Sequence, residues 1–151
     1  MSASAQDTLS LLLERAESER DAAARLLHAA STQAQTARAQ HDGLTGYRQE
    51  YQQRWTQSFT QSATMSIVGC YQSFGQRLDQ AVTTQGHVAQ HADQRQERAR
   101  EALRQAELRV AALRQLIARR QAEAAKVVQR REQRASDEFA ARAHLRRMAH
   151  A

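Results

Sequence analysis

The sequence predicts an all-α protein: an antiparallel two-helix coiled-coil hairpin whose second helix is longer and overhangs at its C-terminal end. Three observations carry that reading. There is no proline, and the five glycines (Gly43, Gly46, Gly69, Gly75, Gly86) all fall between positions 43 and 86, so helix breakers are confined to the middle. Small or apolar residues recur at a period of 3.5, which winds helices around one another. Ala, Gln and Arg dominate while large core formers are thin, and a narrow two-helix seam needs far fewer of those than a globular interior does. The 151 residues make one domain, 1–151, with a first helix at about 7–57, a turn at about 58–66 and a second helix at about 67–147.

For the first helix, one series runs Leu9, Ala16, Ala23, Ala30, Ala37, Leu44, Tyr51 and never misses a small or apolar residue. Its companion runs Leu13, Arg20, Leu27, Ala34, His41, Arg48, Trp55 and is apolar in four of seven places. Alternating steps of four and three over about six heptads indicate a coiled coil. Leu12 and Leu26 widen the stripe, and Asp7 is the expected N-cap. The pattern fades through Ser58-Phe59-Thr60-Gln61-Ser62-Ala63-Thr64, where hydroxyls compete for backbone hydrogen bonds, and the turn is expected there.

A second series opens with Ile67, Tyr71, Phe74, Leu78 and Ala81. It resumes as Ala89, Ala92, Gln96, Ala99, Leu103, Ala106, Val110, Leu113, Ile117, Arg120, Ala124, Val127. Folding about position 61 brings Leu9 and Leu13 to the neighbourhood of Leu113 and Val110, and uses up the first helix. Residues from about 118 onward then project as a single helix on the order of 40 Å long. A lone helix of that length is marginal in water, and this one still displays Val127, Val128, Phe139 and Leu145. It is unfinished without a partner.

The net charge of +6 is uneven: residues 1–94 carry 7 basic and 9 acidic groups, residues 95–151 carry 15 and 7. Acidic residues interleave the arginine-rich stretch from Arg95 to Arg134 and no aromatics stand in it, so a solvated coiled-coil face is favoured over a nucleic-acid surface. The apolar seam is too narrow and Ala-rich for a membrane-surface helix, no run approaches a membrane span, and the N-terminus shows no signal-peptide core. Cys70 is the only cysteine, so there is no internal disulfide, and a cytoplasmic protein is expected. No enzyme is expected: phosphate-binding glycine loops and paired cysteines are missing, and His87 and His91 at i, i+4 lack a third metal ligand. No cofactor, metal or small-molecule substrate is implied.

Two patches call for a role. Tyr71, Phe74, Leu78 and Ala81, just after the turn, either present anchors to a partner groove or seal the hairpin tip, and both readings stand. Arg130-Arg131-Glu132-Gln133 through Ser136-Asp137-Glu138-Phe139 to Arg142 lies on the overhang, where Phe139 has no partner in the hairpin, and an interaction is favoured.

Tyr47-Arg48-Gln49-Glu50-Tyr51 and Tyr71-Gln72-Ser73-Phe74 with Leu78, Asp79, Gln80 and Ala81 resemble the middle of the flagellar export protein FliJ family. Ala23-Ala24-Arg25-Leu26-Leu27 and the closing Arg131-Glu132-Gln133 with Asp137-Glu138-Phe139-Ala140-Ala141-Arg142 are similar to its ends, so the resemblance spans nearly the whole chain. It implies a non-enzymatic, stalk- and chaperone-like component of the flagellar type III export apparatus. Such a protein is cytoplasmic and peripherally associated with the inner-membrane apparatus. The implied partners are the hexameric flagellar export ATPase, the cytoplasmic domain of the export gate and other export chaperones. Carried onto this chain, the resemblance assigns ATPase binding to Arg131, Gln133, Asp137, Glu138, Phe139 and Arg142, and gate binding to Phe74, Leu78, Ala81 and Gln85. Gly75 and Gln85 depart from the residues typical of the family there. The alternatives are the equivalent stalk of a virulence-type secretion system, and a basic coiled coil that binds DNA or RNA.

Overall fold

The computed structural model describes residues 2–59 and 64–150. Two helices make up nearly all of it, α1 (Ser2–Phe59) and α2 (Met65–Ala149), packed antiparallel as a hairpin with the longer α2 overhanging. The expected turn at 58–66 falls in part on residues 60–63, outside the described residues. Ser58 still belongs to α1 and returns its hydroxyl to the Arg54 carbonyl, 3.0 Å away. Thr64 ends the hydroxyl-rich run as the N-cap of α2: its Oγ1 accepts from the Ile67 N–H at 3.4 Å and its carbonyl from the Val68 N–H at 3.1 Å.

Asp7 is not the N-cap of α1. The helix already runs from Ser2, because the residues before Asp7 include no breaker and a helix continues until something stops it. Threonines inside α1 are absorbed in the same way. Thr8, Thr32, Thr45 and Thr56 each donate to the carbonyl four residues back, at 2.8–3.1 Å. None of the five glycines breaks a helix; none has positive φ.

The chain forms two compact units. In the unit comprising Glu19–Ala106, the α1 heptad positions from Arg20 to Trp55 are all buried or half-buried. Its centre is a cluster of Ala34, Ala37, Ala89 and Ala92, with Ala34 wholly inaccessible. Alanine layers let two helix axes approach to about 8 Å, the lower end of the usual range, and each contributes little more than one buried methyl, about 0.8 kcal/mol.

Along α2 the seam runs Val68, Tyr71, Gly75, Leu78, Val82, Gln85, Ala89, Ala92, Gln96, Ala99, Leu103 and Ala106, all buried or half-buried in unbroken 3–4 steps. This corrects part of the expected series. Tyr71 and Leu78 lie in the seam, but Ile67, Phe74 and Ala81 sit one position off it, on the flank. The bulkiest residues suggested the wrong register, because Gly75 and Gln85 hold seam positions that hydrophobicity does not mark.

The other unit comprises Met1–Ser18 with Glu107–Ala151. Leu9, Ala16 and Val110 are buried, Leu13, Leu113 and Ile117 half-buried. Leu9 and Ile117 line one small cleft, so Leu9 sits about one turn further along α2 than Leu113. The Ser31–Gln96 and Arg48–Asp79 pairs of the first unit share that offset, being centred between residues 63 and 64 rather than at 61. Past Ile117 every described residue is exposed except half-buried Ala143. Arg120 and Gln121 still line the cleft with Gln6 and Asp7, and at the same register Ser2 reaches about residue 124, so α2 runs on beyond α1 for about 38 Å.

Candidate functional site

At the α2 start of the Glu19–Ala106 unit, four aromatic rings gather. Tyr51 stacks on Tyr71 at 5.3 Å between centroids, meets Phe74 at 4.9 Å and touches Trp55 edge-on at 6.0 Å; Trp55 and Tyr71 are 4.8 Å apart. Such pairs contribute about 0.5–1.5 kcal/mol beyond their buried area, so the cluster clamps the two helices together. Desolvation among these rings pushes the Tyr51 phenol above its ordinary pKa of 10.0. Beside it, the missing side chain of Gly75 leaves the seam open. A cleft of about 370 Å³ is lined there by Tyr51, Tyr71, Gly75 and Leu78, with the Arg48–Asp79 ion pair at its edge. A Cβ at Gly75 would meet nothing within 4 Å.

The four residues assigned to gate binding do not share one outward face. Phe74 is 42% exposed while packed on Tyr51, and Ala81 lies half-buried one heptad along the same flank. Leu78 is buried in the seam. Gln85 is half-buried and occupied across it, donating from Nε2 to the Ala37 carbonyl at 3.3 Å and to Gln40 Oε1 at 3.1 Å. Sequence reasoning missed Tyr51 and Trp55 as the other half of this patch. Stepping back from Ala89 in strict 3–4 order would have found the seam positions Val82 and Gly75.

The six residues assigned to ATPase binding lie on the uncovered part of α2, in the other unit, and all are exposed. Helical spacing puts Arg131, Glu138 and Arg142 on one face with Phe139 at its edge. Gln133 and Asp137 occupy the opposite face and pair with each other, Nε2 donating to Oδ1 at 3.0 Å. Phe139 is 76% exposed. No group of three His, Cys, Asp or Glu among the described residues could hold a metal ion, and Cys70 is exposed.

The family model described as "Flagellar FliJ protein" matches residues 5–149, nearly the whole chain. This chain belongs to the FliJ family. No curated protein and no solved structure matches it. Membership supports a role in flagellum biogenesis and protein export, and an association with the export apparatus. FliJ proteins are a non-catalytic part of that apparatus. Among the described residues no helix is long and apolar enough to cross a membrane.

Proposed function

We propose that this FliJ-family chain is the stalk of the export machinery, coupling the hexameric export ATPase to the cytoplasmic domain of the export gate. It would work in the cytoplasm, held peripherally at the inner-membrane apparatus, and would handle other export chaperones. The observation that carries the reading is the uncovered length of α2 with Phe139 exposed upon it. A charged helix exposed on every side, with the assigned residues on opposite faces, suits insertion into a ring that contacts it all round. Arg131, Glu138, Phe139 and Arg142 would meet one wall; Gln133 and Asp137 would meet another. Phe74 and Ala81 would face the gate, with Leu78 and Gln85 holding the flank in place from within the seam.

The test is a pair of binding measurements with purified ATPase and gate domain. Phe139→Ala should weaken ATPase binding at least tenfold and leave the melting temperature of the isolated chain unchanged, since exposed side chains without partners contribute within about 0.5 kcal/mol. Phe74→Ala should weaken gate binding and spare ATPase binding. Unchanged ATPase affinity in the Phe139 variant sinks the stalk reading. A deletion strain that swims normally would point instead to a virulence-type system.

A further inference from the structure

The seam of the Glu19–Ala106 unit has two flanks of different chemistry. On one, the cations are engaged: Arg38 donates to Asp93 Oδ1 from Nε at 2.8 Å, Arg48 pairs with Asp79, and Arg100 pairs with Glu97. The other flank mixes apolar side chains with unengaged cations. Leu26 (67% exposed) and Tyr47 stand on it from α1, three heptads apart with Gln33 and Gln40 between them; Phe74, Ala81, Val88 (47% exposed) and Ala102 stand on it from α2 in heptad register, with Arg95 at the position between Val88 and Ala102. Arg54 continues the α1 row after Tyr47, and Arg77 and Arg98 stand beside the α2 row; the side chains of these three and of Arg95 make no hydrogen bond or ion pair among the described residues.

We propose that this flank is the docking surface for one acidic amphipathic α-helix of a partner protein, laid lengthwise to complete a three-helix bundle. The seven-residue spacing of Phe74, Ala81 and Val88 on the α2 row, resumed at Ala102, sets the shape of the occupant. Apolar side chains repeating at the heptad period present a groove to another helix, whereas a compact domain has no reason to match that period. Phe74 to Ala102 spans about 42 Å, which a partner helix of about 28 residues covers. The unengaged arginines set its charge. Carboxylates on the incoming helix would give these four cations the partners that those of the opposite flank already have. A second copy of this chain fits poorly, because it brings the same arginine-bordered flank and a net charge of +6. The surface extends well past Phe74 and Ala81, so it is tested at residues the proposed gate contact does not use.

The probe is a 28-residue synthetic helix with Leu at the seam positions and Glu beside them, titrated into the full chain by calorimetry. Two controls accompany it, one with Lys in place of Glu and one with the leucines replaced by Ser. The Glu peptide should bind at least tenfold more tightly than either control. Val88→Asp, and separately Leu26→Ser, should each weaken it at least tenfold with unchanged circular dichroism. Arg95→Gln with Arg98→Gln should weaken it and flatten its salt dependence, while Gln90→Glu, off this flank, should change nothing. The proposal is overturned by three results. These are equal binding of Glu and Lys peptides, loss with the arginine variant but not with Val88→Asp or Leu26→Ser (charge alone), or a dimer of the free chain that Val88→Asp dissociates.

Discussion

Replacing Gly43 and Gly86 by alanine tests the helix register directly, because the two glycines differ in what a new methyl would touch. Both lie inside long helices, where alanine is favoured over glycine by about 0.8–1 kcal/mol. At Gly43 an added Cβ meets nothing within 4 Å, so the whole propensity gain should appear. For a chain of this length that is a rise in melting temperature of about 2–4 °C. At Gly86 the Cβ would lie 3.3 Å from His41 Nε2 and 3.5 Å from its Cδ2. The ring has to yield by a few tenths of an ångström. Overpacking costs about 1–3 kcal/mol in a tight core, and somewhat less here because the His41 side chain is 35% exposed and can swing. The two terms then roughly cancel, so Gly86→Ala should be neutral or destabilising by up to about 1 kcal/mol. Thermal melts followed at 222 nm measure the difference. In a His41→Ala background the same substitution should regain its stabilisation. If Gly86→Ala stabilises wild type as much as Gly43→Ala does, His41 does not pack on Gly86 and the register is wrong.

Ala34→Leu inserts three carbons at a site with no accessible surface and should destabilise by about 1–3 kcal/mol, read from the same melts. Asp93→Asn removes the Arg38 pair, whose side chains are about half exposed; it should cost less than about 1 kcal/mol at low salt, and the difference from wild type should vanish in 1 M NaCl. The Tyr51 phenol titrates above its unfolded value, so the fold favours its neutral form; that stabilisation is whole below pH 10.0 and is lost as pH rises through the raised value. Helix content should therefore fall above pH 10.0, and Tyr51→Phe should move the onset to higher pH.

Helix type, pairing and overhang were legible in the sequence because each follows from period and length. The α1 series from Leu9 to Tyr51 needed only counting, and every member is buried or half-buried. The overhang followed from α1 ending before α2 does. What misled was the stretch from Ile67 to Ala89, where period and hydrophobicity disagree: a glycine and a glutamine hold the seam while Phe74 stands on the flank. The same conflict blurred the patch after the turn, since Leu78 was grouped with Phe74 and Ala81 but lies in the seam, as does Gln85, which only the family resemblance had added. The two unlike flanks were not legible from either helix read singly. They emerge only when Arg38 is set against Asp93, and Val88 is found with no such counterpart.

Finally, the alanine layers bear on how the hairpin comes apart. A core of leucines concentrates stability in a few interlocking side chains, and opening then waits for all of them to release. Layers that each hold by about one methyl spread it evenly. The packed helices should therefore behave as a zipper, losing one layer at a time from a free end. Amide exchange would rise in steps away from the ring cluster of Tyr51, Trp55, Tyr71 and Phe74 and on through the layers of Ala34 and Ala92, rather than in one global event. A protein so built can lend a helix to a partner briefly and re-close without ever unfolding.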